Sequence, residues 1–249
     1  MTDSNILANQ KQFLGHPVGL YILFLTEMWE RFSFYGMRVL LVNFLTMALV
    51  GYNPGWEWSA ENAGALFGTY AMLLYLTPIV GGIVADKFTG YRWAVVIGAL
   101  IMTLGHASMA LETEASLYIG LGLFVIGTGF FKPTMTSIIS EMYKGKDEKK
   151  DGAYTIFYMG INTGGALGPI VCGFFGDTGK NGDFKWAFFA GGVAMLLSVI
   201  TQLIFQKKYL VDPSGEAIGE VPKDAPKFFQ KIPVMIGFLF LLSLVTIAL

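Results

Sequence analysis

Residues 62–85, 93–111, 115–131, 152–176, 186–206 and 232–249 each run without a single Asp, Glu, Lys or Arg. Crossing the ~30 Å of hydrocarbon in a bilayer takes roughly 20 helical residues at about 1.5 Å each. A seventh stretch, 18–50, is equally apolar except for Glu27, Glu30, Arg31 and Arg38. Such runs exceed the ~10 alternating residues of a membrane barrel strand. They predict an all-α membrane protein with seven membrane segments. Composition agrees: 54% of the 249 residues are hydrophobic and only 14% charged, against roughly 25% charged in a soluble domain. A net charge of −1 excludes a nucleic-acid partner, because no basic excess exists to displace counterions. The lone cysteine, Cys172, excludes a disulfide framework or a Cys-rich metal site. Without paired metal ligands, a phosphate loop or a nucleophile–base signature, the expectation is no cofactor, no metal and no enzyme.

The basic residues orient the bundle. Of the 17 lysines and arginines, only Lys180 and Lys185 fall on one side, and Arg31, Arg38 and Lys132 lie within helices. The others, from Lys11 to Lys231, fall on the opposite side. By the positive-inside rule that side is cytoplasmic, and so is the N-terminus. The polar start is no cleavable signal. The expected organisation is a cytoplasmic N-terminus (1–17), a six-helix bundle (18–209), a proline- and charge-rich cytoplasmic linker (210–231) and the start of another membrane helix (232–249). A chain that stops at Leu249, inside an apolar run, reads as a fragment.

At 100° per residue, Glu27, Glu30, Arg31, Tyr35 and Arg38 share one helix face of about 140°. Glu27 and Arg31, four residues apart, can pair along the helix. A charge at the bilayer centre costs about 2.5 kcal/mol or more, so these groups face a cavity or one another. Lys132, followed by Pro133, adds a further intramembrane cation. A helix-fixing ion-pair network is the blander alternative, but Arg31, Arg38 and Lys132 outnumber the two glutamates. Depth, at about 1.5 Å per residue from the inner helix ends, places Glu27 at about 15 Å, Lys132 at about 13 Å, Tyr75 at about 16 Å and Asn162 at about 15 Å. Four helices thus bring polar groups to one level near the midplane, where transporters build their substrate sites.

Glu27 to Arg38 read E-x-x-E-R-F-S-F-Y-G-M-R, and Tyr75 to Arg92 read Y-L-T-P-I-V-G-G-x-x-A-D-x-x-x-G-Y-R. F-F-K-P (Phe130 to Pro133) and F-Y-M-G-I-N-T-G (Phe157 to Gly164) follow. In this order the motifs resemble the proton-dependent oligopeptide transporter family of the major facilitator superfamily, over its N-terminal six-helix half. The resemblance implies a major facilitator type six-helix N-terminal bundle plus one further membrane helix, with the C-terminal half missing as a partner of the same chain. The last helix is then segment 7 or the first helix of an inserted hairpin.

The resemblance also implies roles. Glu27, Glu30 and Arg31 look like the family's proton-coupling cluster and Lys132 like its partner lysine. Arg38, Tyr35, Tyr75, Tyr158 and Asn162, with Lys132, look like peptide-contacting positions. Gly82, Asp86, Gly90 and Arg92 resemble the superfamily's gating motif between segments 2 and 3. Phe34 stands where some members have Tyr, and Gly68 where animal members carry a proton-linked His. His106 reads as a packed, hydrogen-bonded histidine. The expected activity is proton-coupled symport of di- and tripeptides into the cell, with protons and the lipid bilayer as the other partners. The setting is the plasma membrane, a bacterial inner membrane, crossed several times. Uptake of nitrate or another small anion is the alternative, needing the cations but not the tyrosines. A seven-helix receptor needs the opposite orientation.

Overall fold

The computed structural model describes residues 10–52, 54–180 and 182–222. The expected last helix, 232–249, and the end of the expected linker lie outside the described residues. A two-residue hairpin, β1 (Gln12–Phe13) and β2 (His16–Pro17), leads into six helices. These are α1 (Val18–Thr46), α2 (Ala60–Val84), α3 (Tyr91–Met109), α4 (Glu114–Met142), α5 (Asp147–Gly176) and α6 (Phe184–Tyr209). Four of them (α2 with the turn after it, α3, α4 and α6) are long and apolar enough to cross a membrane. The other two fall short for reasons visible in their residues. The four charges of α1 interrupt it, and α5 begins with a charged turn and is rich in glycine. Lys132 does not end the fourth segment, whose helix carries it and continues to Met142.

Helix ends follow local chemistry. Thr113 and Ser116 form a reciprocal capping box at the start of α4, which satisfies two otherwise orphaned N–H groups. Ser59 caps α2 by accepting from the Asn62 N–H at 3.2 Å. A π-helical turn, Ala85–Thr89, closes α2, and Gly90 follows at φ +71°, a left-handed conformation that glycine adopts without strain.

Packing is closest where glycines remove side chains. Along α5, Gly160, Gly164 and Gly168 lie against the main-chain carbonyls of Phe24, Met28 and Phe32 in α1. The spacing of four repeats the contact once per turn. Gly98 and Gly105 of α3 likewise meet the carbonyls of Gly127 and Gly120 in α4. Hydrogen bonds complete the grip on α1. The Ser198 hydroxyl of α6 donates to the Thr26 carbonyl at 2.9 Å, and Ser33 pairs with His106 of α3 at 2.5 Å. His106 is fully buried, edge-on to Phe124 at 5.2 Å.

Residues 210–222, within the stretch that reads as a linker, form a folded clasp. Val211 and Ala217 make an antiparallel bridge around a turn in which the Asp212 carboxylate accepts from the Ser214 and Glu216 N–H groups at 2.9 Å. Leu210 and Ile218 are buried in the core. Arg92 fixes the clasp to α3: its N–H donates to the Gly219 carbonyl at 3.0 Å and its guanidinium to the Leu210 carbonyl. Gln10 donates to the carbonyls of Val211 (2.7 Å) and Met142 (3.1 Å), tying the clasp to α4.

Candidate functional site

The grip on α1 matters because α1 carries the charges. Arg31 Nε lies 2.9 Å from Glu27 Oε1 and 2.6 Å from Glu30 Oε2. All three residues are buried, Glu30 completely. One guanidinium therefore serves two carboxyl groups. The cost of burying these ions is offset only by such close pairing.

Beside the trio lies a cavity of about 230 Å³, lined by Glu30, Arg31, Tyr35 and Arg38 of α1, Tyr75 of α2 and Lys132 of α4. Arg38 and Lys132 are exposed to it, and no described carboxylate lies within salt-bridge distance of either. Each rests on an aromatic face instead. The Arg38 guanidinium is 5.2 Å from the Phe67 ring centroid and the Lys132 Nζ 5.0 Å from that of Tyr75. Such contacts hold a cation without neutralising it.

The α2–α4 crossing sets the Lys132–Tyr75 pairing. Pro133 has no N–H for the Gly129 carbonyl one turn back. That carbonyl instead faces Gly81 of α2, whose lack of a side chain admits it. The Thr77 hydroxyl spans the same crossing to the Val125 carbonyl at 3.0 Å.

The remaining motif residues are distributed differently. Glu27 is paired to Arg31 but does not line the cavity. Tyr158 and Asn162 lie on the exposed flank of α5, outside its lining. Gly82 packs near Pro133. Asp86 and Gly90 line a second hollow of about 340 Å³ at the helix ends, together with Glu141, Lys144 and the clasp. Arg92 is buried behind it and holds the clasp. Two lining residues, Phe67 and Tyr70, were not legible as site residues. With Ala71 and Leu74 they form an i, i+3, i+4, i+7 stripe on α2, but α2 is apolar all round and its stripe does not stand out. Among the described residues, no group of three His, Cys, Asp or Glu is placed to hold a metal ion.

A chain of multiple membrane helices with buried charges on one of them, beside a polar midhelix cavity, has clear relatives. The profile of the PTR2 family, described as the POT family, matches residues 92–236. The chain belongs to the POT family. It is 39% identical over 203 residues to the peptide transporter YePEPT of Yersinia enterocolitica, covering 80% of this chain and 39% of that one. It is 35% identical over 244 residues to a di-/tripeptide transporter of Lactococcus lactis, covering 95% of this chain and 48% of that one. A crystal structure of the peptide transporter POT in complex with sulfate superposes with a TM-score of 0.81 at 35% identity, over 99% of this chain and 49% of that one. A POT family transporter in complex with 5-aminolevulinic acid gives 0.81 at 31% identity, over 95% and 48%. The chain spans about half the length of the relatives it matches. It is a multi-pass membrane protein with the major facilitator type fold of POT transporters, and the family and these relatives are transporters.

Proposed function

We propose that this POT family chain is the N-terminal half of a secondary transporter that carries di- and tripeptides into the cell in symport with protons. Residues 18–209 form its first bundle, joined by 210–231 to a further membrane helix at 232–249, in a bacterial inner membrane with the N-terminus cytoplasmic. The observation that carries this reading is the pair of unneutralised cations, Arg38 and Lys132, on the wall of a cavity that also holds Glu30 and Arg31. A peptide is a zwitterion: its carboxylate suits those cations, and its amide groups suit the hydroxyls of Tyr35 and Tyr75. A small inorganic anion would use the cations and leave the tyrosines idle. The receptor reading does not fit a transporter family.

The glutamates supply the coupling. Protonating Glu27 or Glu30 removes one of the two charges that hold Arg31, and the freed guanidinium becomes available to the cavity. Lys132 lies within electrostatic reach of Glu30 and senses the same event. Tyr158 and Asn162, on the exposed flank of α5 outside this cavity, are proposed as further peptide-contacting positions on the strength of the family motif they match. Gly82, Asp86, Gly90 and Arg92 shape the helix ends at the cytoplasmic gate.

The test is accumulation of labelled dialanine by full-length protein in vesicles with an imposed pH step. Uptake against the peptide gradient that collapses with a protonophore is expected. Uptake indifferent to the pH step, or of nitrate in place of dialanine, overturns the reading.

A further inference from the structure

Tyr70 is one of the largest fully buried side chains, and its hydroxyl has no hydrogen-bond partner among the described residues. Its ring is well placed, against Phe67 at 6.2 Å and Phe124 at 6.4 Å. A phenylalanine would make those ring contacts equally well. A buried hydroxyl with nothing to bond is destabilising, so packing alone does not account for it. Tyr70 lines the cavity together with Glu30, Arg31 and Arg38.

Glu30 is satisfied only in part. Neither of its oxygens has an aligned hydrogen bond among the described residues, although Oε2 is ion-paired with Arg31. A phenol without a partner and a carboxyl with its Oε1 still unengaged thus share one small cavity, and their chemistry is complementary. A phenol donates to a carboxylate and accepts from a carboxylic acid. The terminal torsion of glutamate is soft, so the carboxyl can turn between Arg31 and the cavity.

We propose that Tyr70 is the positioning residue for the proton on Glu30. Its hydroxyl donates to the Glu30 carboxylate. When Glu30 takes up one proton from the cavity, the new carboxylic O–H donates to Tyr70 in return. The phenol keeps its own proton throughout, and Arg31 keeps its charge. The other groups facing Glu30 are Glu27 and Arg31 from α1 and Lys132 from α4. From α5, Gly164 packs on Arg31 without a titratable group. His106 of α3 and Ser198 of α6 are turned to Ser33 and Thr26. The inference rests on the proton-coupling role proposed for Glu30.

The experiment compares full-length wild type with Tyr70→Phe in vesicles, recording dialanine uptake against pH, KM at the acidic plateau and melting temperature. Tyr70→Phe removes both bonds, but the charge-assisted one to the carboxylate is the stronger; the net loss disfavours the carboxylate, so the pH midpoint of uptake rises by about 0.5–1 unit. KM at the plateau stays within about twofold, since a hydrogen bond to Glu30 rather than to substrate is removed. Replacement of Tyr70 by 3,5-difluorotyrosine keeps the shape and strengthens donation, and moves the midpoint the opposite way. An unmoved midpoint in either variant overturns the inference, as does a raised KM at an unmoved midpoint, which makes Tyr70 a substrate contact. Wild type without pH-driven uptake overturns the transport reading itself.

Discussion

The Lys132 ammonium stands 5.0 Å over the ring of Tyr75, a residue from another helix, with no described carboxylate in salt-bridge range. An ion-pair scaffold would have placed the lysine against an acid; here it is presented to the cavity. If Lys132 and Arg38 hold a peptide C-terminus, Lys132→Gln and Arg38→Gln each lose about 10- to 100-fold in affinity for a free-acid peptide, the worth of a charge-assisted hydrogen bond. Both variants then discriminate poorly between acid and amide. Competition binding on full-length protein, with melting temperatures alongside, reads this; stable variants that still prefer the acid place the carboxylate elsewhere.

Glu27→Gln retains an oxygen for the Arg31 Nε, now 2.9 Å from the carboxylate, but cannot carry a proton. The variant is expected to fold, to exchange labelled dipeptide across vesicles at equal pH, and to fail to concentrate it under a pH step. Concentrative uptake at the wild-type level removes Glu27 from the coupling machinery.

At Gly160, Gly164 and Gly168 the α1–α5 seam admits no side chain. A Cβ on Gly164 would run into the Met28 carbonyl, whereas Gly173, on the same helix, has nothing within 4 Å. Gly164→Val should cost about 1–3 kcal/mol or more through overpacking and depress the melting temperature by several degrees. Gly173→Val should melt near wild type. Equal melting of the two variants would mean that α5 does not sit on α1 in this way.

His16 accepts or donates at Nδ1 to the Tyr143 hydroxyl at 2.7 Å. Burial, with Lys149 nearby, holds its pKa below the ordinary 6.5. The folded form therefore binds its proton less readily than the unfolded chain. That contribution to stability is complete above pH 6.5 and is lost as pH falls toward the depressed value. Melting temperature should thus fall on acidification more steeply in wild type than in His16→Asn, and identical slopes would discount the histidine.

Orientation is open to labelling on a Cys172→Ala background. Cys172 is fully buried against Gly36, so its removal leaves only a small space. A cysteine at Lys144 should react with an impermeant thiol reagent from the cytoplasm, and one at Val50, exposed in the connection between α1 and α2, from outside. The reverse pattern inverts the proposed topology.

The helices were legible because about 20 apolar residues have few alternatives in a chain with so little charge. The Glu27–Arg31 pair was legible from spacing alone, and the structure shows it at 2.9 Å. That Arg31 also binds Glu30 was not, because neighbours in sequence rarely face each other on a helix; the long arginine bends back to reach it. Tyr70 was hidden for a different reason. Periodicity identifies a buried stripe only against a polar remainder, and α2 has none. Asn162 shares a depth with the cavity residues, yet depth along a helix does not fix rotation about it, and it lies with Tyr158 on an exposed flank. The fold of residues 210–222 is not legible in the sequence, because prolines and mixed charges look alike whether a linker is loose or fastened.

The hydrogen bonds that Arg92 and Gln10 send to the clasp all end on main-chain carbonyls, those of Leu210, Val211 and Gly219. Such recognition does not read side chains. Homologous clasps can therefore diverge at most positions without letting go, provided a small residue with left-handed freedom stays at Gly219 (φ +68°) and an apolar one at Leu210 and Ile218. The constraint is expected on Arg92 and Gln10, the donors, and alignments of this segment should show scattered identity around those few fixed points.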